Sequence, residues 1–481
     1  MLTMKRFNTS KMNKSWYFSL IITLIFMTIG CAIILPTDPY KKVDLFVHKN
    51  DVKPSDFTTK AISGAPLSLT KVIEIAISNN PEISAMHYDV EAAIARQSEA
   101  RGALFPRISA EGSYFYNLDN QRLIPARYNG EPGVFSEEII SGDVVLRMPL
   151  FMGGKLINEI KAASLLRQSV ENRLARTREE LVFNISSTFF SILAQEHIIN
   201  SLQFSQTTME KHLQQVNDLI SAQKAAKVDQ LRTEVRLSDV RQKLVREKNT
   251  LMLQHRLLAN LMGVEEISPM FTLEGALEKF LPELPLKESC LDLAFEQRPD
   301  YHASRKELEA QTRRVDIARA GHLPTISLFG SYGRRWAEEP SEQPSGTKDD
   351  EDIGRVGIVA EIPLFEGGRI RARIREETAK LAAAQERLRK IELQIRLEVE
   401  TALLNTTSAF ERVQTTEKAI EQARESLRIE REKYELGKGA ILDVLDAQSA
   451  LLEAETNYYR GLTDFNIAKV QIKLAMGEDI K

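Results

Sequence analysis

The sequence is written twice, and that duplication limits the folds open to it. Asn80-Pro81-Glu82 returns as Arg298-Pro299-Asp300, and Leu104-Phe105-Pro106-Arg107-Ile108-Ser109 returns as His322-Leu323-Pro324-Thr325-Ile326-Ser327; the matched prolines stand 218 residues apart in both cases. Pro149-Leu150-Phe151-Met152-Gly153-Gly154 returns as Pro363-Leu364-Phe365-Glu366-Gly367-Gly368 at a separation of 214, which also links Asp229 to Asp443 and Gly263 to Gly477. One four-residue deletion between the paired strands of the second copy accounts for every offset, so the chain repeats one supersecondary plan. The expected boundaries are 66–264 for the first repeat, 265–284 for a linker, 285–477 for the second repeat and 478–481 for a tail.

Each copy reads as helix, strand, strand, long helix, helix. In the first copy these are a short helix over 81–104, a strand pair over 106–151, a long helix from Gly154 to about Gln223, and a medium helix over 228–262; the later helices of the second copy are expected over 369–436 and 441–476. The long segments contain no proline or glycine and are rich in good helix formers. Apolar residues recur at three- and four-residue steps, as in Leu213, Val216 and Ile220. Nearly 70 helical residues extend about 100 Å, far beyond an ordinary globular helix, so the segment needs neighbours along its length. The short and medium helices, roughly 35 Å and 53 Å, almost match it when laid end to end. This predicts a palisade with one continuous helix beside two stacked ones.

The strands, each expected to be about ten residues, carry a period of two. Ile108, Ala110, Gly112, Tyr114 and Tyr116 alternate with Arg107, Ser109, Glu111 and Ser113; Val144, Leu146 and Met148 alternate with Asp143 and Arg147. In the second copy Ile326, Leu328, Gly330 and Tyr332 oppose Thr325, Ser327 and Ser331, and Val356, Ile358, Ala360 and Ile362 oppose Arg355 and Glu361. The pattern suits a transmembrane β-barrel, with Tyr114 and Tyr332 at aromatic-belt positions, and equally suits a soluble sheet on a core. In lipid, four strands cannot close and an open edge is forbidden, so a membrane barrel requires several chains; three supply twelve strands. The loop over 334–352 holds Glu338, Glu339, Glu342, Asp349, Asp350, Glu351 and Asp352 and is expected to be solvated.

Residues 1–30 look like a secretory signal, with Lys5, Arg6, Lys11 and Lys14 before an apolar run over 16–35. Thr28-Ile29-Gly30-Cys31 resembles a lipobox, which makes Cys31 a candidate lipid-attachment site ahead of a linker over 31–65; the alternative is a retained membrane anchor. No other stretch is apolar enough for a spanning helix. A net charge of −3 without a basic, aromatic-interleaved cluster points away from nucleic acid. The seven histidines form no metal spacing, and Gly153-Gly154-Lys155-Leu156 lacks the frame of a nucleotide loop. No catalytic residue, metal site or cofactor is therefore expected, and the chain reads as a non-enzyme.

Several segments resemble the TolC family: Pro66-Leu67-Ser68-Leu69 followed by Asn80-Pro81-Glu82, the two Pro-Leu-Phe-x-Gly-Gly turns, and above all the run from Tyr434-Glu435-Leu436-Gly437-Lys438-Gly439-Ala440 to Ile441-Leu442-Asp443-Val444-Leu445-Asp446-Ala447-Gln448, which is similar to the family's turn at the far tip of the second hairpin. The resemblance covers nearly all of 66–477. It implies an α+β membrane protein in which a homotrimer forms a twelve-stranded barrel in outer-membrane lipid and a long periplasmic helical barrel. It further implies an inner-membrane pump and a periplasmic adaptor that deliver cargo to this exit duct.

Asp443 and Asp446, three residues apart, share a helix face. In a threefold assembly they would stack as two acidic rings that attract cations, a reading the motif match supports; alternatively they only favour the helix dipole. Tyr434 matches a tyrosine that in the family helps tie the closed tip. Gly439, beside Lys438, stands where the family has arginine. Asp229 is the first-repeat counterpart, a gate partner or an N-capping residue. Gly437, Lys438, Gly439 and Ala226 in the tip turns are candidate adaptor contacts, or ordinary turn residues. The leading function is the exit duct of a tripartite efflux system. Alternatives are the outer-membrane component of type I protein secretion and, in another class, an anchored periplasmic coiled-coil scaffold.

Overall fold

The computed structural model describes residues 66–264, 271–280 and 286–478. In chain order the elements are β1 (Leu67–Ser68), α1 (Leu69–Asn79), α2 (Pro81–Gly102), β2 (Arg107–Arg122), β3 (Phe135–Met152), α3 (Lys155–Ser221), α4 (Lys227–Leu261), β4 (Leu273–Glu274), α5 (Lys287–Gln297), α6 (Pro299–Ala320), β5 (Thr325–Glu338), β6 (Asp350–Glu361), α7 (Arg369–Glu435) and α8 (Ile441–Met476). Both long helices have 67 residues, and their ends fall within two residues of expectation. Among the described residues no helix is long and apolar enough to cross a membrane.

Two helices were not anticipated. α1 and α5 each precede the short helix of their repeat, which itself ends at Gly102 rather than Leu104. α1 is signalled by Ser68, whose hydroxyl accepts from the Lys71 N–H, and by Val72, Ile75 and Ala76, which bury one stripe.

The strands are also longer than ten residues, at 16, 18, 14 and 12. Part of the segment read as an acidic loop is ladder: Arg334 in β5 donates to Asp350 at 2.9 Å and Asp352 at 2.7 Å in β6, so opposite charges carry the pairing beyond the apolar rows. The antiparallel sheet has the order β2-β3-β5-β6. Its register sets Ala110, Val144 and Tyr332 in one row and Leu146, Gly330 and Val356 in another, so the apolar positions share a face. That face is bare, with Val356 81% and Ile358 68% exposed. On the other face Arg147 donates to Glu111 at 2.8 Å, and the Arg147 and Arg355 guanidiniums flank Phe329. β2 and β6 are open edges.

Gly153-Gly154 and Gly367-Gly368 turn the chain from sheet to long helix through consecutive positive φ values of 61° and 82°, and of 59° and 84°. This is why each copy of the Pro-Leu-Phe motif ends in two glycines. α3 then packs on α2, α4, α6 and α8, while α7 packs on α6 and α8. The palisade order is α2 stacked on α4, then α3, then α6 stacked on α8, then α7. Its core follows α3 through Ile185, Phe189 and Ile192 to Met209 and Val216, meeting Leu237 and Val240 of α4 and Val444 and Leu445 of α8.

The stacking is built at two equivalent junctions. Asn80 caps α2 by accepting from the N–H groups of Glu82 and Ile83, and its Nδ2 donates to the Leu261 carbonyl at the end of α4 at 2.9 Å. In the second repeat Arg298 occupies that position and donates to the Ala475 carbonyl at the end of α8 at 3.3 Å. The backbones approach so closely that a Cβ on Gly263, where φ is +69°, would lie 2.4 Å from the Asn79 carbonyl oxygen. Gly263→Ala is expected to destabilise the protein by roughly 1–3 kcal/mol. Gly102→Ala, at a site with no atom within 4 Å, should stay within about 0.5 kcal/mol. Thermal melting of the two variants checks the contrast.

Candidate functional site

The end of the palisade remote from the sheet is formed by two helix reversals of the same plan. α3 ends in a turn where the Lys224 N–H donates to the Leu219 carbonyl at 2.8 Å, and α7 ends where the Lys438 N–H donates to the Lys433 carbonyl at the same distance. The left-handed residue is Gln223 (φ 58°) in the first turn and Gly437 (φ 68°) in the second. Gly437, Lys438 and Gly439 thus lie in the α7–α8 turn, and Ala226 is the N-cap of α4, as Ala440 is of α8. An alanine cannot cap with its side chain, so the third helical residue does the work. Asp229 accepts from the Ala226 N–H and Asp443 from the Ala440 N–H, each at 3.4 Å. Both aspartates support their helix start from the third helical position rather than as the N-cap itself; Asp443 is exposed and Asp229 half-buried.

Asp446 lies one turn further along α8, on the same exposed side as Asp443. It is not free: Arg236 of α4 donates to it at 3.0 Å, joining the two hairpins. Sequence reasoning missed Arg236, and no local signal marks it, since its partner is 210 residues away. Tyr434 packs against the core shared by α3, α4 and α8. Its hydroxyl is buried without a hydrogen-bond partner, and burial together with the nearby Asp229 charge raises its pKa. The structure therefore brings Tyr434 near Asp229 and Arg236 to Asp446, while Asp443 makes only its capping bond. His212 of α3 was also missed. It is buried beside Arg431, its Nε2 lacks a partner, and burial lowers its pKa.

This collection holds no acid–base pair aimed at a cavity, and among the described residues no three His, Cys, Asp or Glu side chains are grouped to hold a metal ion. What it offers is charge at a helix reversal. Cys31 and the expected signal and linker lie outside the described residues.

Comparison with known proteins adds an independent line. The sequence model of the outer membrane efflux protein family matches residues 72–264 and 290–478, one match per repeat. The chain is 20% identical over 411 residues to outer membrane protein TolC of Vibrio cholerae, covering 85% of this chain and 90% of that one. It is 26% identical over 318 residues to the cobalt-zinc-cadmium resistance protein CzcC of Cupriavidus metallidurans, covering 65% and 71%. Among solved structures the outer-membrane channel OprN superposes with a TM-score of 0.73 at 21% identity, over 85% of this chain and 90% of that one, a likeness of fold.

Tyr434→Phe deletes a buried hydroxyl with no partner in its own chain. Its melting temperature is expected to be unchanged or higher, corresponding to a gain of up to about 1 kcal/mol. A loss of about 1 kcal/mol or more would mean that the hydroxyl is bonded to a neighbouring chain.

Proposed function

From the premise that this chain belongs to the outer membrane efflux protein family, we propose that three copies close into a duct through the outer membrane that conducts exported molecules and does no chemistry on them. The outer membrane is its location, and efflux through it is its work. One observation supports the threefold reading most: the open edges of the sheet and of the palisade coincide. β2, α2 and α4 form one side of the unit, and β6 and α7 form the other. Exposed apolar side chains gather on the edge helices, as Val235, Val245, Leu253 and Leu257 on α4 and Leu393, Leu397 and Leu404 on α7. Edge-to-edge closure would satisfy the strand ladder, cover these side chains and turn the bare apolar sheet face to lipid.

In that ring the three Asp443 carboxylates would form an acidic mouth at the tip, with Asp446 contributing less because Arg236 already neutralises it. Asp229 and Tyr434 brace the hairpins behind the mouth. The turns at Gly437, Lys438, Gly439 and Ala226 are the surface offered to a periplasmic adaptor, with an inner-membrane pump behind it. Cys31 as an acylated N-terminus is supported by the sequence pattern alone.

The purified protein should run as a heat-sensitive trimer and conduct in planar bilayers. Replacing Asp443 and Asp446 with alanine should raise the half-blocking concentration of a multivalent cation about tenfold, equivalent to about 1.4 kcal/mol. A monomer extracted by salt or alkali would instead favour the anchored coiled-coil scaffold, and unchanged block would remove the two aspartates from the mouth.

A further inference from the structure

A helix C-terminus leaves its last carbonyls without intrahelical partners. At the end of α8 remote from the tip, two arginines from other elements supply donors. Arg176 of α3 donates through Nη1 to the Leu474 carbonyl at 3.2 Å, and Arg298, between α5 and α6, donates to Ala475. Each arginine also serves carboxylates. Arg298, 1% exposed, holds Asp300 through two nitrogens, at 2.7 Å and 3.1 Å, and Glu398 of α7 at 2.6 Å. Arg176 donates through Nε to Glu180 at 2.9 Å and through Nη1 to Glu179 at 3.3 Å. The same Nη1 is thus shared between Glu179 and the Leu474 carbonyl.

The charges do not balance. Two guanidiniums face Glu179, Glu180, Asp300 and Glu398. Asp300 and Glu398 have close partners on Arg298, while Glu180 has Arg176 Nε and is half exposed. Glu179 is the more buried of the α3 pair and has only the longer, shared bond. From α2, His87 faces the adjacent Arg178 at 2.8 Å, and α8 presents main-chain carbonyls to the arginines. One proton on Glu179 relieves the excess and frees Arg176 for Leu474.

We propose that this cluster is a proton-sensitive clamp on the C-terminal end of α8, tight when Glu179 is neutral and looser when it ionises. The chain's own geometry carries this assignment, and it holds whether or not three copies form a duct. Burial, only partly offset by the Arg176 charge, raises the Glu179 pKa from an ordinary 4.5 to about 7. Burial pushes Asp300 up as well, but the Arg298 fork outweighs it and holds that carboxyl below its usual range, so Asp300 stays charged near neutrality. The folded chain therefore binds a proton that the unfolded chain has released between these two pH values. Stability from this group is full below about 4.5, falls as pH rises, and levels off above about 7.

The test compares wild type, Glu179→Gln and the control Glu180→Gln in detergent between pH 5 and 8. Across that range the unfolding equilibrium constant of wild type and of Glu180→Gln should rise roughly 70-fold more than that of Glu179→Gln. Hydrogen exchange in the last turn of α8, corrected for intrinsic rates, should accelerate with pH in wild type and not in Glu179→Gln. A carboxylic-acid carbonyl band in infrared difference spectra should titrate near neutrality in wild type and vanish in the variant. Equal pH slopes for wild type and Glu179→Gln, or an α8 terminus indifferent to pH, would overturn the clamp. If Glu179→Gln does not fold, the absence of a titrating band in wild type would overturn it equally.

Discussion

A helix of 67 residues presents a flank about 100 Å long, and among the described helices only its own repeat, α7, matches that reach. α7 is not a neighbour of α3. The flank is instead covered by stacked pairs, and every stack creates an internal helix end with polar groups to satisfy. Asn80 and Arg298 are the answers to that problem. Each stands between two helices of its repeat and reaches the last carbonyls of the medium helix below. The close backbone approach at Gly263 and Gly477 follows from the same requirement, since the stacked ends must meet without a gap.

The two repeats solve the junction with different chemistry. Asn80 is a neutral side chain that caps and bridges at once. Arg298 is a buried charge that cannot cap, so it draws in Asp300 and Glu398, and the carboxylates around it leave Glu179 as the odd group. A buried ion pair is weak evidence for stability in itself. Its consequence here is asymmetry: among the described residues the first junction shows no comparable titratable cluster, while the second places one at the end of α8.

Much of the fold could be read from residue spacing, because duplication and periodicity are local signals. The absence of proline and glycine fixed the long helices to within two residues, and the period of two placed Ile108, Val144, Tyr332 and Val356 on one face, as the register has it. α1 and α5 escaped because eleven residues carry only one short apolar stripe. The strand extensions escaped because Arg334, Asp350 and Asp352 read as loop charge until they are seen opposite one another. At the tip, Asp229 and Asp443 were recognisable from matched positions in the two repeats, and their capping geometry follows from the alanine beside each. Arg236 and the orphaned His212 were not recognisable, since their roles depend on helices distant in sequence.

The equal length of α3 and α7 conceals unequal support. α3 buries side chains from Ala162 to Val216, almost end to end, whereas α7 buries them only between Ile395 and Val413. Outside that stretch α7 contributes only partly buried side chains such as Ile391, Leu427 and Tyr434 to the neighbouring cores, and its own pairs, such as Arg428 with Glu425 and Glu432, are exposed and contribute little. A helix so long owes most of its stability to packing rather than to propensity. With one side against α6 and α8 and the other bare, α7 has about half the lateral support that α3 enjoys, although the two descend from one sequence plan. In the proposed ring a neighbouring chain would cover the bare side, where Leu393, Leu397 and Leu404 are exposed. On the proposed closure of three copies, the stability of the second repeat would be linked to assembly.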